Sequence, residues 1–206
     1  DSMAGKSQCI TNYDSAVLPD ANVDFFEQFY SSARAQDLFD LLLKELQWQQ
    51  ESLQIYGKRH RVPRLSALYG ASNVQYTYSG VAHTALPWTS ALLEIKNDLE
   101  QATQAKFNSV LANLYRNGRD SNGWHADDEP ELGSQPIIAS VSLGATRDFQ
   151  FKHRQLAQHS YTQELSSGSL LVMGGAMQAH WLHQLPKRLR VQDPRINLTF
   201  RYIHKA

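Results

Sequence analysis

Apolar residues recur at helical spacing in two stretches of the chain. Over residues 34–48, Leu38, Leu41, Leu42 and Leu46 fall on one face of a helix. Over 88–102, Leu92, Ile95 and Leu99 repeat the pattern, and Pro87 suits a first helical turn. Elsewhere the period is two. Phe107, Leu111, Asn113 and Tyr115 share one strand face, with Val110, Ala112 and Leu114 on the other. Ile137, Ala139, Val141 and Leu143 alternate with Ile138, Ser140 and Ser142. Short strand-like runs follow at 148–152, 158–165, 169–173 and 196–203, punctuated by turn signals such as Asn117-Gly118 and Ser166-Ser167-Gly168. Helices early and many short strands late predict an α+β fold. The strand-rich half is expected to close into a sandwich or jelly roll, which limits exposed edges.

The chain has 206 residues, enough for one domain with a substantial core. Twenty basic residues balance twenty acidic ones, so bulk charge does not announce a nucleic-acid partner and any such surface must be local. A single cysteine, Cys9, builds no disulfide framework, and an intracellular setting is expected, cytoplasmic in a bacterium or nuclear in a eukaryote. No apolar run approaches the roughly 18 residues of a membrane span, so no membrane partner is expected. Residues 1–20 read as a flexible N-terminal arm, and 21–206 as a single domain.

His125-Ala126-Asp127 is a His-x-Asp pair, and two positions apart on a strand both side chains reach one side. With eight histidines and twelve aspartates, roughly half a match arises by chance, so the pair says little alone. A facial metal site needs a second histidine from a distant strand. His180 and His183 both fall in a strand expected over 179–184; three apart, they face opposite ways, so only one can point at a metal. The terminal strand is more informative. Ile196, Leu198, Phe200 and Tyr202 form an apolar face; Arg195, Asn197, Thr199 and Arg201 form a wholly polar one. Either that face is a solvated sheet surface, or it lines a polar interior that holds a dicarboxylic acid, to which arginine is suited.

These segments together resemble the AlkB family of iron(II)- and 2-oxoglutarate-dependent dioxygenases. The motifs are His125-Ala126-Asp127-Asp128-Glu129, His183-Gln184-Leu185-Pro186 and Arg195-Ile196-Asn197-Leu198-Thr199-Phe200-Arg201, and the likeness runs from about residue 56 to 202. The resemblance implies a double-stranded β-helix (jelly-roll) core over about 107–203, preceded by helices and a nucleotide-recognition hairpin region over about 50–85. It implies iron ligands His125, Asp127 and His183, and selects His183 over His180. It implies that Asn113, Tyr115, Arg195, Asn197 and Arg201 bind 2-oxoglutarate, with O2 as the second co-substrate. The branch resembled is the one that repairs alkylated double-stranded DNA. There Tyr76 and Tyr78, in Tyr76-Thr77-Tyr78-Ser79-Gly80, would hold a flipped base, Glu129 would read it, Arg147 would support the lesion pocket, and Arg64 would contact substrate. The segment 55–64 carries four Lys/Arg and no acid, and Tyr56 stands where an aromatic wedge would fill the gap left by a flipped base.

The expected reaction is oxidative demethylation of N-alkylated bases in DNA. It couples decarboxylation of 2-oxoglutarate to hydroxylation of the alkyl group and release of formaldehyde. The expected partner is DNA, double-stranded with a flipped base, with single strands also compatible, and the chain is expected to act as a monomer. The rivals are a related oxygenase acting on RNA, protein or lipid, and a metal-binding jelly roll or zinc hydrolase. A hydrolase has no use for a diacid pocket, so Arg195 and Arg201 speak against the latter.

Overall fold

The structure, a computed structural model, describes residues 18–205 and the backbone of a two-residue strand, β1 (Gln8–Cys9). Most of the expected N-terminal arm lies outside the described residues. Three layers make up the rest. The two helices, α1 (Ser32–Glu45) and α2 (Ser90–Thr103), cover one face of a large sheet. A smaller sheet packs on its other face.

The helices begin where side chains satisfy free backbone amides: Ser31 Oγ accepts from Arg34 N, and Thr89 Oγ1 from Leu92 N. Helix α1 therefore starts two residues earlier than its leucine pattern suggests. Its buried stripe is Ala35, Leu38, Phe39 and Leu42, whereas Leu41 is 46% exposed. At 100° per residue the stripe fills with Ala35 and Phe39, and Leu41 is turned to solvent. Pro87 belongs to a two-residue strand, β7 (Leu86–Pro87), ahead of the Thr89 cap, and not to the first turn of α2.

The large sheet has nine strands. Its main order is β1, β2 (Val23–Phe26), β13 (Leu170–Met173), β10 (Ile138–Gly144), β15 (Arg195–Arg201), β8 (Ser109–Tyr115), β4 (Lys58–Gly70) and β3 (Gln49–Ile55), with β7 alongside β4. The smaller sheet runs β12 (Ser160–Leu165), β11 (Arg147–His153), β14 (Trp181–Leu185) and β9 (Asn122–His125). Antiparallel pairing around two facing sheets is the jelly roll expected from the strand pattern. β3 and β4 form a hairpin at the edge of the large sheet, and β5 (Gln75–Tyr78) with β6 (Val81–Thr84) forms a separate two-stranded sheet.

The helices decide which side of the large sheet is inside. Val141, Leu143, Ile196, Leu198 and Phe200 pack against Leu38, Leu42, Leu92, Ile95 and Leu99. The alternate positions of the same strands therefore face the smaller sheet. On β15 those are Arg195, Asn197, Thr199 and Arg201, all buried. The polar face is an interior one.

Further elements differ from the sequence expectation. The thirteen-residue strand β4 and its partner β3 are not anticipated by alternation, because β4 opens on four exposed polar residues and no residue of β3 is buried. The strand expected over 179–184 starts only at Trp181; His180 ends a short helix, α3 (Met177–His180). Strand β9 stops at His125, so Asp127 lies in the following loop and not on a strand with His125.

Candidate active site

A cavity of about 310 Å³ opens between the two sheets. Its floor is the inner face of β15 with its neighbours. Register places Arg195 opposite Tyr115, and Asn197 opposite both Asn113 and Ser142. The floor is hydrogen-bonded both along β15 and across strands. Asn197 Nδ2 donates to Ser140 Oγ (2.6 Å), Thr199 Oγ1 donates to Asn197 Oδ1 (2.7 Å), and Ser66 Oγ donates to Asn113 Oδ1 (2.7 Å). The serines were not singled out from sequence, although Ser140 and Ser142 are the small polar members of an alternating strand.

The two floor arginines differ. Arg201 is already paired: its Nε and Nη2 lie 3.2 and 3.0 Å from Asp127 Oδ2, and its guanidinium sits 5.1 Å above the Tyr76 ring. Arg195 is 2% exposed and donates from Nη2 to Ser142 Oγ (2.9 Å); its Nε is buried without a partner, and no acid of the described residues pairs with it. Burial lowers its pKa to about 10, which leaves it a cation at neutral pH. A buried cation with an unused donor is costly unless an anion meets it. A carboxylate of a small diacid supplies that anion, so the floor fits 2-oxoglutarate.

Three side chains converge on the cavity wall. One donor atom each from His125, Asp127 and His183 lies within 4.8 Å of the others. Strand pairing sets His183 directly opposite His125. His125 Nδ1 lies 2.6 Å from the Gly123 carbonyl oxygen, which can only accept, so the proton sits on Nδ1 and the Nε2 lone pair is free. Burial pushes the pKa of His183 down to about 3, so its imidazole is neutral. Burial would raise Asp127, but the Arg201 guanidinium, by its charge and its hydrogen bonds, outweighs it and holds the carboxyl below its usual range. Asp127 is off the strand, and two bonds fix it there: Arg201 on its carboxylate, and Gln178 Oε1 accepting from its backbone N–H (2.9 Å). Gln178 was not anticipated, and no spacing marks it. Two imidazoles and one carboxylate leave part of a metal's coordination sphere open, the donor set that suits non-haem iron(II).

A second cluster, Asp20, His153 and His180, has metal-like spacing but the wrong protonation. His153 Nδ1 accepts from the backbone N–H groups of Gln155 (3.1 Å) and Leu156 (3.0 Å). The ring proton is therefore on Nε2, donated to Asp20 Oδ2 (2.9 Å), and no lone pair faces the cluster from that ring. This bond, with Trp181 Nε1 donating to the Pro19 carbonyl (2.9 Å), latches residues 19–20 onto the smaller sheet. His180 belongs to this latch, 3.8 Å from Asp20, and not to the cavity.

The outer cavity wall carries Tyr76, Tyr78, Glu129 and Arg64. Tyr76 is buried and donates to Glu129 Oε1 (3.0 Å), while Glu129 Oε2 is buried without a partner. Burial first, then the nearby Asp127 charge, raise the pKa of Glu129 above its ordinary value. Arg64 Nη1 donates to the Ser121 carbonyl (3.0 Å) at the rim. Two residues lie elsewhere. Tyr56 is fully exposed at the tip of the β3–β4 hairpin, outside the cavity. Arg147 does not line the cavity either. Its two Nη atoms donate to the carbonyl oxygens of Asn117, Asp120 and Pro186, so it ties together the loops flanking the site, while its Nε is buried without a partner.

Comparison with known proteins agrees with this geometry. The family model of the 2OG-Fe(II) oxygenase superfamily matches residues 22–201. Alpha-ketoglutarate-dependent dioxygenase alkB homolog 3 of Bos taurus is 41% identical over 185 residues, covering 85% of this chain and 64% of that protein. DNA oxidative demethylase ALKBH2 of Homo sapiens is 41% identical over 184 residues, covering 84% of this chain and 70% of that protein. The chain thus spans about two thirds of the length of these relatives. The solved structure of OsALKBH1 shares the fold, with a TM-score of 0.60 at 15% identity over 87% of this chain and 96% of that one. Sheet topology, converging donor set and relatives agree: the chain belongs to the 2OG-Fe(II) oxygenase superfamily and, within it, to the AlkB family.

Proposed function

We propose that this protein removes N-alkyl groups from DNA bases by oxidation. One observation carries the reading: the His125/Asp127/His183 cluster, the anion-seeking Arg195 and the Tyr76/Tyr78/Glu129 wall share one cavity. When bound, iron(II) with 2-oxoglutarate and O2 supplies the oxidising chemistry, giving succinate, carbon dioxide and a hydroxylated alkyl group that leaves as formaldehyde. The chain's residues hold and aim. His125 and His183 present ring nitrogens, and Arg201 fixes the Asp127 carboxylate. Arg195, with Tyr115 and Asn113 beside it, receives a carboxylate of the co-substrate. Glu129 offers its free oxygen to the base edge, and Tyr78 offers a stacking surface.

The region 50–85 is the nucleotide-recognition part, and 107–203 the catalytic core. Tyr56 and Gly57, at φ 49° and 75°, form a two-residue hairpin turn with both central residues left-handed. Such a turn thrusts Tyr56 into solvent, with exposed Lys58, Arg59 and Arg61 behind it for phosphates. That geometry supports a wedge that replaces a flipped base in duplex DNA. The protein acts as a monomer in this reading.

The test is formaldehyde release from a methylated DNA oligonucleotide, with and without iron(II) and 2-oxoglutarate. Release that needs both, and exceeds release from methylated RNA, is expected. Co-substrate decarboxylation with no formaldehyde from either nucleic acid would overturn the reading.

A further inference from the structure

We propose that His83 is a positioning residue for the substrate base, acting through Tyr78; this rests on the reading that Tyr78 meets the base. In the β5–β6 hairpin His83 is paired with Tyr76 and lies diagonally from Tyr78. The rings of His83 and Tyr78 are stacked, with centroids 3.8 Å apart and planes 12° from parallel. Tyr78 lines the cavity and His83 does not, so His83 backs the side of the ring turned away from the cavity.

His83 is in turn approached from the other hairpin. Its Nε2 is buried, lacks a hydrogen-bond partner and lies 3.8 Å from Glu51 Oε1. Glu51 stands where the β3–β4 register shifts, between Gln50 and Ser52. Such an irregularity re-aims a side chain, here across to the second hairpin. Leu53, two residues on, reaches Gly80 at the β5–β6 turn, 3.8 Å from where a Cβ would stand.

The consequence is mechanical. A two-stranded hairpin is marginal on its own, and a tyrosine on it is a poor platform unless its plane is held. His83 holds that plane. Glu51 and Leu53 also bring the hairpin that carries Tyr56 against the base-gripping one.

The experiment measures lesion discrimination: the affinity for a methylated single-stranded DNA oligonucleotide relative to the same oligonucleotide unmethylated. Enzyme loaded with iron(II) and 2-oxoglutarate is titrated without oxygen, so that no turnover occurs. His83→Leu fills the space without an aromatic face, and His83→Phe keeps the face. His83→Leu is expected to reduce discrimination roughly two- to tenfold, the range for one aromatic pair. His83→Phe is expected to stay within about twofold of wild type at the same melting temperature as His83→Leu. Equal discrimination by the Leu and Phe variants overturns the role of His83. Tyr78→Ala separates this from the parent reading: if it leaves discrimination intact, Tyr78 does not meet the base and both fall.

Discussion

Replacing Arg195 with methionine tests the diacid reading of the floor. Methionine has similar length and no charge. Without ligand, the change removes a buried cation that has no acid partner and leaves Ser142 Oγ without its donor. Exchanging a buried charge for a hydrophobe is often neutral or stabilising by about 1–4 kcal/mol, against about 1–3 kcal/mol for an unsatisfied buried hydroxyl. The ligand-free melting temperature should therefore stay within a few degrees of wild type. With 2-oxoglutarate the outcome differs. Leaving one partner of a buried ion pair unmatched costs about 3–5 kcal/mol, more than a hundredfold in affinity. At a concentration of 100 times the wild-type Kd, ligand stabilises wild type by about 2.7 kcal/mol; with the Kd raised a hundredfold the gain is about 0.4 kcal/mol. For a chain of this size about 2–4 °C accompany each kcal/mol. Thermal melts with a bound divalent metal, with and without 2-oxoglutarate, should thus show a shift of roughly 5–11 °C in wild type and no more than about 2 °C in the variant. A full ligand-induced shift in Arg195→Met, or a normal KM for 2-oxoglutarate, would refute the assignment.

Three further outcomes are expected. His183→Ala should abolish turnover and metal binding, whereas His180→Ala, which touches only the Asp20 latch, should keep iron-dependent turnover; the reverse result, read by metal titration and formaldehyde release, would overturn the ligand assignment. Tyr56→Ala should leave the melting temperature unchanged, because the side chain is fully exposed. It should weaken activity on duplex DNA by about 1–3 kcal/mol, with little effect on single strands; equal effects on both would remove the wedge. Burial raises the Asp120 pKa, but the hydrogen bonds from the Arg116 side chain and backbone outweigh it, and the net shift is downward. A depressed folded-state pKa gives stability that is fully present above the unfolded value of about 3.9 and is lost as pH falls through the folded value. The stability difference between wild type and Asp120→Asn, from denaturant melts, should be constant above about pH 5 and shrink only below about pH 4; a difference that persists unchanged into stronger acid would contradict the pairing.

Much of the site is legible in the chain because a strand writes its two faces at alternate positions. Arg195, Asn197, Thr199 and Arg201 announce a polar face, and the family likeness adds the ligand triad. What that face does was open: a solvated surface has the same pattern. The answer comes from α1 and α2, which claim the apolar face and turn the polar one toward β9 and β14. His180 and His183 are equally plausible from spacing, and only the helix–strand break at Trp181 sends them to different clusters. The roles of Gln178, His83 and Glu51 have no sequence signal, since each acts on a residue 32 to 51 positions away or across a hairpin. Arg147 shows the opposite case: its family match suggests support of the lesion pocket, and the structure places it outside the cavity lining, its two Nη atoms on three carbonyl groups of the flanking loops. Local periodicity and capping depend on neighbours along the chain, so the sequence by itself determined the helices, the core strands and the chemical character of each face. Which face becomes an interior, and which polar groups there are left unpaired, depends on contacts between segments far apart in sequence, and only the tertiary structure decided them.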